Sequence, residues 1–171
     1  AFLYYPETNN TILNPVLKPE FLSIMNEVRR EAEDLIQRIK GKREYGKDIC
    51  LSLNPPPDLS IRQFFLVVRE ELKHWSESVE ITHSKSAVDI TPKGINKGSG
   101  VGELSARTGI SFDEMLGIGD TKGDLPMLKL VGIPTCPSNA SHEVQKISNF
   151  VASEPGSIGV LQIIRHYTSW K

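Results

Sequence analysis

Apolar positions in the first 17 residues fall on either side of a polar turn at Asn9-Asn10, with Phe2 and Tyr4 before it and Ile12 and Leu13 after it. Two short extended segments meeting at such a turn predict a hairpin. From Pro19 to Lys40 the apolar residues Phe21, Ile24, Val28, Leu35 and Ile39 recur at helical spacing. Pro19 is tolerated in a first turn, and Gly41 stands where a helix would end, so the span reads as one long helix. Ile49, Leu51 and Leu53 alternate ahead of the breaker Pro55-Pro56-Pro57. Beyond it an amphipathic stretch from Leu59 to Trp75 reads as a second helix, and Val79–Thr82 and Ala87–Ile90 read as strands. Helix, strand, helix, strand, strand predicts a small open-faced sheet with two helices on one side.

The pattern changes near Thr91-Pro92-Lys93-Gly94. A helix is predicted from Lys97 to Thr108 with Gly109 at its end, then an apolar run from Met115 to Ile118, a helix starting near Asp124 and an extended segment from Ile133 to Cys136. Ser141 is expected to cap a further helix, followed by a strand over Asn149–Ala152 and a last helix from about Ser157 to Tyr167. Strands that alternate with helices predict an α/β fold with a doubly wound parallel sheet.

Charge narrows the functional classes. Across 171 residues, 20 basic and 21 acidic side chains nearly cancel, so no broad field favours nucleic acid or an anionic membrane. An anionic ligand would have to be held locally. The 39% hydrophobic content suits a folded core. Cys50 and Cys136 lie far apart and form no metal-ligand or redox spacing, which favours a reducing compartment. No apolar run approaches the roughly 20 residues that span a bilayer, and residues 1–6 lack the features of a signal peptide. A soluble, cytoplasmic protein is expected.

Candidate chemistry concentrates in Leu116-Gly117-Ile118-Gly119-Asp120-Thr121-Lys122-Gly123-Asp124, a short apolar strand running into two carboxylates four residues apart. Ligands of open parallel sheets gather beyond the carboxyl ends of strands, and paired carboxylates suit a Mg²⁺ ion that keeps several waters. The plainer alternative makes Asp120 a turn residue and Asp124 a helix cap. Lys97 stands at a predicted helix start among Gly94, Gly98, Gly100 and Gly102. An ammonium beside exposed amides can hold phosphate, although most lysines only solvate a surface. The glycines do not have the G-x-G-x-x-G spacing of a dinucleotide loop.

Three stretches together, Asp89-Ile90-Thr91-Pro92-Lys93-Gly94-Ile95-Asn96-Lys97-Gly98, Gly119-Asp120 through Asp124 with Pro126-Met127-Leu128, and Cys136-Pro137-Ser138-Asn139-Ala140, resemble the haloacid dehalogenase (HAD) superfamily. The likeness is to the branch with a mixed α/β cap, type IIB, which includes Cof-type, sucrose-phosphate and archaeal phosphoglycolate phosphatases. It is specific over residues 88–171, and over 18–86 only the element order agrees. The resemblance implies a hairpin of the HAD core at 1–17, a small α+β cap that sets substrate specificity at 18–86, and the C-terminal half of the core at 87–171. It further implies that Lys97 binds the transferring phosphoryl group, Asp120 ligates Mg²⁺ directly, Asp124 supports the metal through water, and Asn139 lies beside the phosphate. In that family one aspartate attacks phosphorus, a second serves as acid and base, and water releases phosphate from the phospho-aspartyl intermediate.

The chain departs from the family pattern in two respects. No Asp-x-Asp, the motif of the nucleophile and its acid/base partner, occurs in it. Roughly 60 or more residues of core would have to precede Ala1 to supply that motif. Gly123 also replaces the asparagine that relatives often carry before the second acid.

A half-core would expose a strand edge and apolar faces, so self-association or pairing with an N-terminal piece is expected. The expected activity is Mg²⁺-dependent hydrolysis of a small phosphorylated metabolite, with this chain inactive alone. The alternative is a non-catalytic module for phosphate and metal binding or assembly; a phosphomutase would equally need the absent motif. In the cap, Arg43, Lys47, His83 and Lys85 are candidates to meet an anionic leaving group, with a solvated surface as the plainer fate of each.

Overall fold

Helix α1 (Pro19–Ile39) begins on a proline, whose missing amide hydrogen would have been unpaired in a first turn anyway. It buries Met25, Val28, Ala32, Leu35 and Ile36 along one face. Its end departs from the sequence expectation: Lys40, not Gly41, takes the left-handed conformation, with φ 58°. The Gly41 amide then closes the turn on Ile36 O at 2.9 Å. Gly41 has a different reason to be small, since a Cβ there would approach the Asn54 carbonyl oxygen to 3.1 Å.

The computed structural model describes residues 2–5, 9–13, 17–45 and 49–168, and the chain divides into two units, 1–95 and 96–171. In the first unit β1 (Phe2–Tyr5) and β2 (Asn10–Leu13) form the expected antiparallel hairpin, with Asn9 at φ 50°, a conformation that asparagine tolerates. A separate antiparallel sheet has the order β3-β4-β6-β5. Its strands are β3 (Lys42–Arg43), β4 (Leu51–Asn54), β5 (Val79–His83) and β6 (Val88–Pro92). The register sets Leu51, Ile90 and Ile81 side by side, and Ser52, Asp89 and Thr82 on the opposite face. Helix α2 (Ile61–Glu71) starts in a reciprocal Ser60–Gln63 capping box and buries Phe64 and Val68. With α1 it covers the apolar face in a single core that includes Leu51, Leu53, Val88 and Ile90.

One difference from the sequence reading concerns this sheet. Strand β3 was not expected, because two charged residues carry no alternation to detect. Strand β6 pairs with β4 and β5, as the order helix, strand, helix, strand, strand predicts, and lies in the first unit.

The second unit opens with α3 (Lys97–Thr108). The Asn96 side chain caps it through the amides of Gly98 at 2.9 Å and Ser99 at 3.1 Å. Gly109, at φ 74°, ends it as expected. Strands β7 (Leu116–Ile118), β8 (Ile133–Cys136) and β9 (Phe150–Val151) form a parallel sheet in that order. Helices α4 (Leu125–Leu128) and α5 (His142–Ile147) lie between consecutive strands, and α6 (Gly156–Tyr167) follows the last. The fold is thus α/β. Its buried cluster here is small, Leu128, Cys136, Ala140 and Val144, while Leu104, Ile110, Ile158 and Leu161 remain exposed. Strand β7 forms one edge of the sheet.

Candidate active site

The chain beyond β7 folds back on itself because residue 119 is glycine. A Cβ on Gly119 would collide with the Asp124 side chain, 2.9 Å from its Cγ, and would lie 3.0 Å from Leu128 Cδ1. With no side chain in the way, the Asp124 carboxylate turns under the loop. Its Oδ2 accepts the amides of Asp120 at 3.0 Å and Thr121 at 2.9 Å, and the Thr121 hydroxyl at 3.0 Å. Asp124 therefore does more than cap the short turn Lys122–Asp124.

The other oxygen, Oδ1, pairs with the Lys97 ammonium. A second glycine permits this. A Cβ on Gly98 would lie 2.6 Å from the Pro126 carbonyl oxygen, so the first turn of α3 can approach the Asp124 segment only with glycine there. Lys97 keeps its side chain 63% exposed, whereas that of Asp124 is 4% exposed. Burial pushes the Asp124 carboxyl towards its neutral form; Lys97, the Thr121 and Asp120 amides and the Thr121 hydroxyl outweigh it and hold the pKa at about 2. Asp124 is thus a fixed anion at neutral pH.

Asp120 differs in every respect. It is exposed, and no hydrogen bond from the described residues reaches its carboxylate. Both of its peptide groups are held instead: its N–H donates to Asp124, and its carbonyl accepts from the Ser141 amide at 2.8 Å. A rigid backbone carrying an open carboxylate fits a Mg²⁺ ion, which prefers a few hard oxygen donors and retains water. Asp124 has three donors on Oδ2 and Lys97 on Oδ1, so an approach to such an ion through water fits it better than direct ligation. No group of three His, Cys, Asp or Glu side chains capable of holding a metal occurs among the described residues. Asp120 and Asp124 thus fit part of a coordination shell.

Asn139 is exposed, and its side-chain oxygen accepts the Gly156 amide at 2.7 Å, joining the loop after β8 to the start of α6. The Ser141 hydroxyl does not cap α5; it is buried with no hydrogen-bond partner among the described residues, while its amide serves Asp120. Gly123 has an ordinary φ, and a Cβ there would meet nothing nearer than Thr121 Oγ1 at 3.7 Å.

Among the cap candidates, Arg43 is paired with Glu33 of α1, and His83 packs its ring 4.9 Å from that of Phe65 on α2. Lys85 is exposed in the turn between β5 and β6, and Lys47 lies outside the described residues. Sequence reasoning missed the contributions of Thr121 and Ser141 and the close approaches at Gly98 and Gly119. Only the capping spacing from Thr121 to Asp124 carried a local signal.

Residues 5–164 match the haloacid dehalogenase-like hydrolase family. A phosphoglycolate phosphatase of Methanospirillum hungatei is 37% identical over 139 residues, covering 80% of this chain and 59% of that protein. A Thermoplasma acidophilum protein of known structure superposes with a TM-score of 0.69 at 23% identity, over 82% of this chain and 60% of its own. A HAD subclass IIB sugar phosphatase superposes with a TM-score of 0.56 at 21% identity, over 70% of this chain and 43% of its own. The chain spans about three-fifths of the length of the Methanospirillum relative. With the family matched across most of its residues and the fold shared, the chain belongs to the haloacid dehalogenase-like hydrolases.

Proposed function

We propose that this chain forms the metal- and phosphate-binding part of a Mg²⁺-dependent phosphomonoester hydrolase. The observation that carries the proposal is the single carboxylate of Asp124, which holds both the Lys97 ammonium and the loop that presents Asp120. One buried anion thereby sets a cation and an open carboxylate close together. A bound Mg²⁺ would supply positive charge to the phosphoryl oxygens. Lys97 would bind the same phosphoryl group as a point charge, exchanging part of its contact with Asp124 for the ligand. Asp120 would ligate the ion, and Asp124 would orient its water. Asn139 would border the phosphate through the loop that it pins.

The nucleophile and the general acid/base would be aspartates outside these residues, passing through a phospho-aspartyl intermediate, since the chain has no Asp-x-Asp. Residues 18–86 would act as the cap that selects the leaving group, and the hairpin at 1–17 would belong to the core. The edge of β7 and the exposed apolar residues of the second unit would take up an N-terminal segment of core or a second copy. Phosphoglycolate and sugar phosphates are the substrate classes suggested by the names of the relatives. A cytoplasmic location would suit such metabolites, and no helix of the described residues is long and apolar enough to cross a membrane.

The missing Asp-x-Asp also favours a second reading, a non-catalytic phosphate- and metal-binding module. Phosphate release from phosphoglycolate and hexose phosphates, assayed with Mg²⁺ on protein from its native source, separates the two. Turnover abolished by Asp120→Ala supports the hydrolase. Phosphate binding without turnover in the native-length protein supports the module.

A further inference from the structure

The Asp120 backbone is clamped from two sides, and only one clamp, Asp124, belongs to its own loop. The other is the Ser141 amide, which lies at the end of the turn after β8. That turn is held on its amide side by Ala140 N–H on Pro137 O and Ser138 N–H on Glu154 O, both at 3.1 Å, and through Asn139 by the Gly156 amide, while its Ser138 and Ala140 carbonyls are held by the carboxamide of Gln145. Its Nε2 donates to Ser138 O at 3.0 Å and to Ala140 O at 2.9 Å, the carbonyls on either side of Asn139. Both bonds are part-buried, so loss of the donor would leave two carbonyls without a protein partner in a place that water reaches poorly. A side-chain link between the Asp120 loop and α5, Lys122 to Glu143 at 2.7 Å, joins side chains 73% and 49% exposed and is screened by solvent. The part-buried carboxamide is therefore the stiffer connection between α5 and the turn.

Resting on the reading of Asp120 as a metal ligand, we propose that Gln145 is a positioning residue for it. The carboxamide fixes the turn 138–140, the turn aims the Ser141 amide, and that amide holds the Asp120 carbonyl so that the carboxylate faces outward. Gln145 itself touches no ligand. A lysine at this position would keep an N–H donor for the same carbonyls, a glutamate would set a carboxylate against them, and an alanine would leave them empty.

The test is nuclear magnetic resonance on the isotopically labelled 171-residue chain, as wild type, Gln145→Ala, Gln145→Glu and Gln145→Lys. Amide exchange at Ser141 is read against α1 amides as an internal control, and Mn²⁺-induced broadening at Asp120 gives a metal dissociation constant. The expected result is that the Ala and Glu variants lose Ser141 protection by about tenfold and weaken Mn²⁺ binding by about tenfold, while the Lys variant restores both. Unchanged Ser141 protection in the Ala and Glu variants overturns the proposal. So does lost protection with unchanged Mn²⁺ affinity, or a Lys variant that rescues neither. A wild-type chain whose Asp120 region is not broadened by Mn²⁺ overturns the metal reading and the positioning role together. If either variant fails to fold, the other and the Lys rescue still decide.

Discussion

The Lys97 ammonium rests on the carboxylate of Asp124, with the lysine side chain 63% exposed and the aspartate 4% exposed. This asymmetry assigns them different work. Asp124 is immobilised by three further donors and acts as scaffold, whereas Lys97 has one anchor and a solvent-facing head. A cation held by a single contact can pass to an incoming anion without unfolding its support.

The scaffold role has a pH signature. Asp124 titrates at about 2 in the folded chain against 3.8 as a free side chain. A depressed carboxyl pKa contributes stability that is complete above the unfolded value and is lost as pH falls through the folded one. The shift corresponds to about 2 kcal/mol, present at pH 5, mostly lost by pH 2 and gone only below it. Urea midpoints of the wild type and Asp124→Asn, compared from pH 5 to pH 2, should converge across this window. A difference between them that stays constant with pH would contradict it.

Removal of the exposed partner should show in the same carboxylate. Lys97→Met keeps most of the unbranched apolar stem and deletes the charge, so the Asp124 pKa should rise from about 2 towards its ordinary value. The stability cost should be modest, about 1 kcal/mol, because solvent already screens the lysine. Carbon-detected titration of the Asp124 carboxyl in both proteins measures the shift. No change in that pKa would mean that the amides alone hold it down.

Four glycines of the second unit should respond to alanine with opposite signs. Gly119→Ala and Gly98→Ala each force a methyl group onto packed neighbours, the latter onto the backbone of Pro126, and should cost about 1–3 kcal/mol. Gly100 and Gly102 lie within α3, and a methyl group on either would have no neighbour within 4 Å. There alanine should stabilise by about 0.5–1 kcal/mol through helix propensity alone. Thermal midpoints of the four single variants check both signs.

These glycines also mark what a single sequence can disclose. The strand, the paired aspartates and the helix starting at Lys97 were legible because each is a local pattern: an apolar run, a spacing of four, a periodic stretch with Gly109 at its far end. The reason for Gly119 and Gly98 was not, because it lies in close approach between segments that only the fold brings together. Gly41 misled for the same cause: it resembles a helix terminator, whereas Lys40 bears the left-handed turn and Gly41 makes room for Asn54. The Gln145 tether and the Ser141 amide were hidden because a glutamine and a serine at a helix start have many commoner uses.

Gly123 stands where the family resemblance leads one to expect asparagine, and the structure has room for a larger side chain there. Its φ is ordinary, and the nearest atom to an added Cβ is Thr121 Oγ1 at 3.7 Å. Gly123→Asn should therefore leave stability within about 0.5 kcal/mol of wild type. It adds an amide to an exposed loop beside the exposed Asp120 carboxylate, where a further oxygen donor could take a place in a Mg²⁺ shell or hold one of its waters. Mn²⁺ affinity followed by line broadening at Asp120 should strengthen by about tenfold, the low end of what outer-shell partners typically contribute at metal sites. Stronger binding would identify the missing asparagine as a loss of metal organisation. Unchanged affinity with unchanged stability would show that the backbone clamps on Asp120 suffice without it.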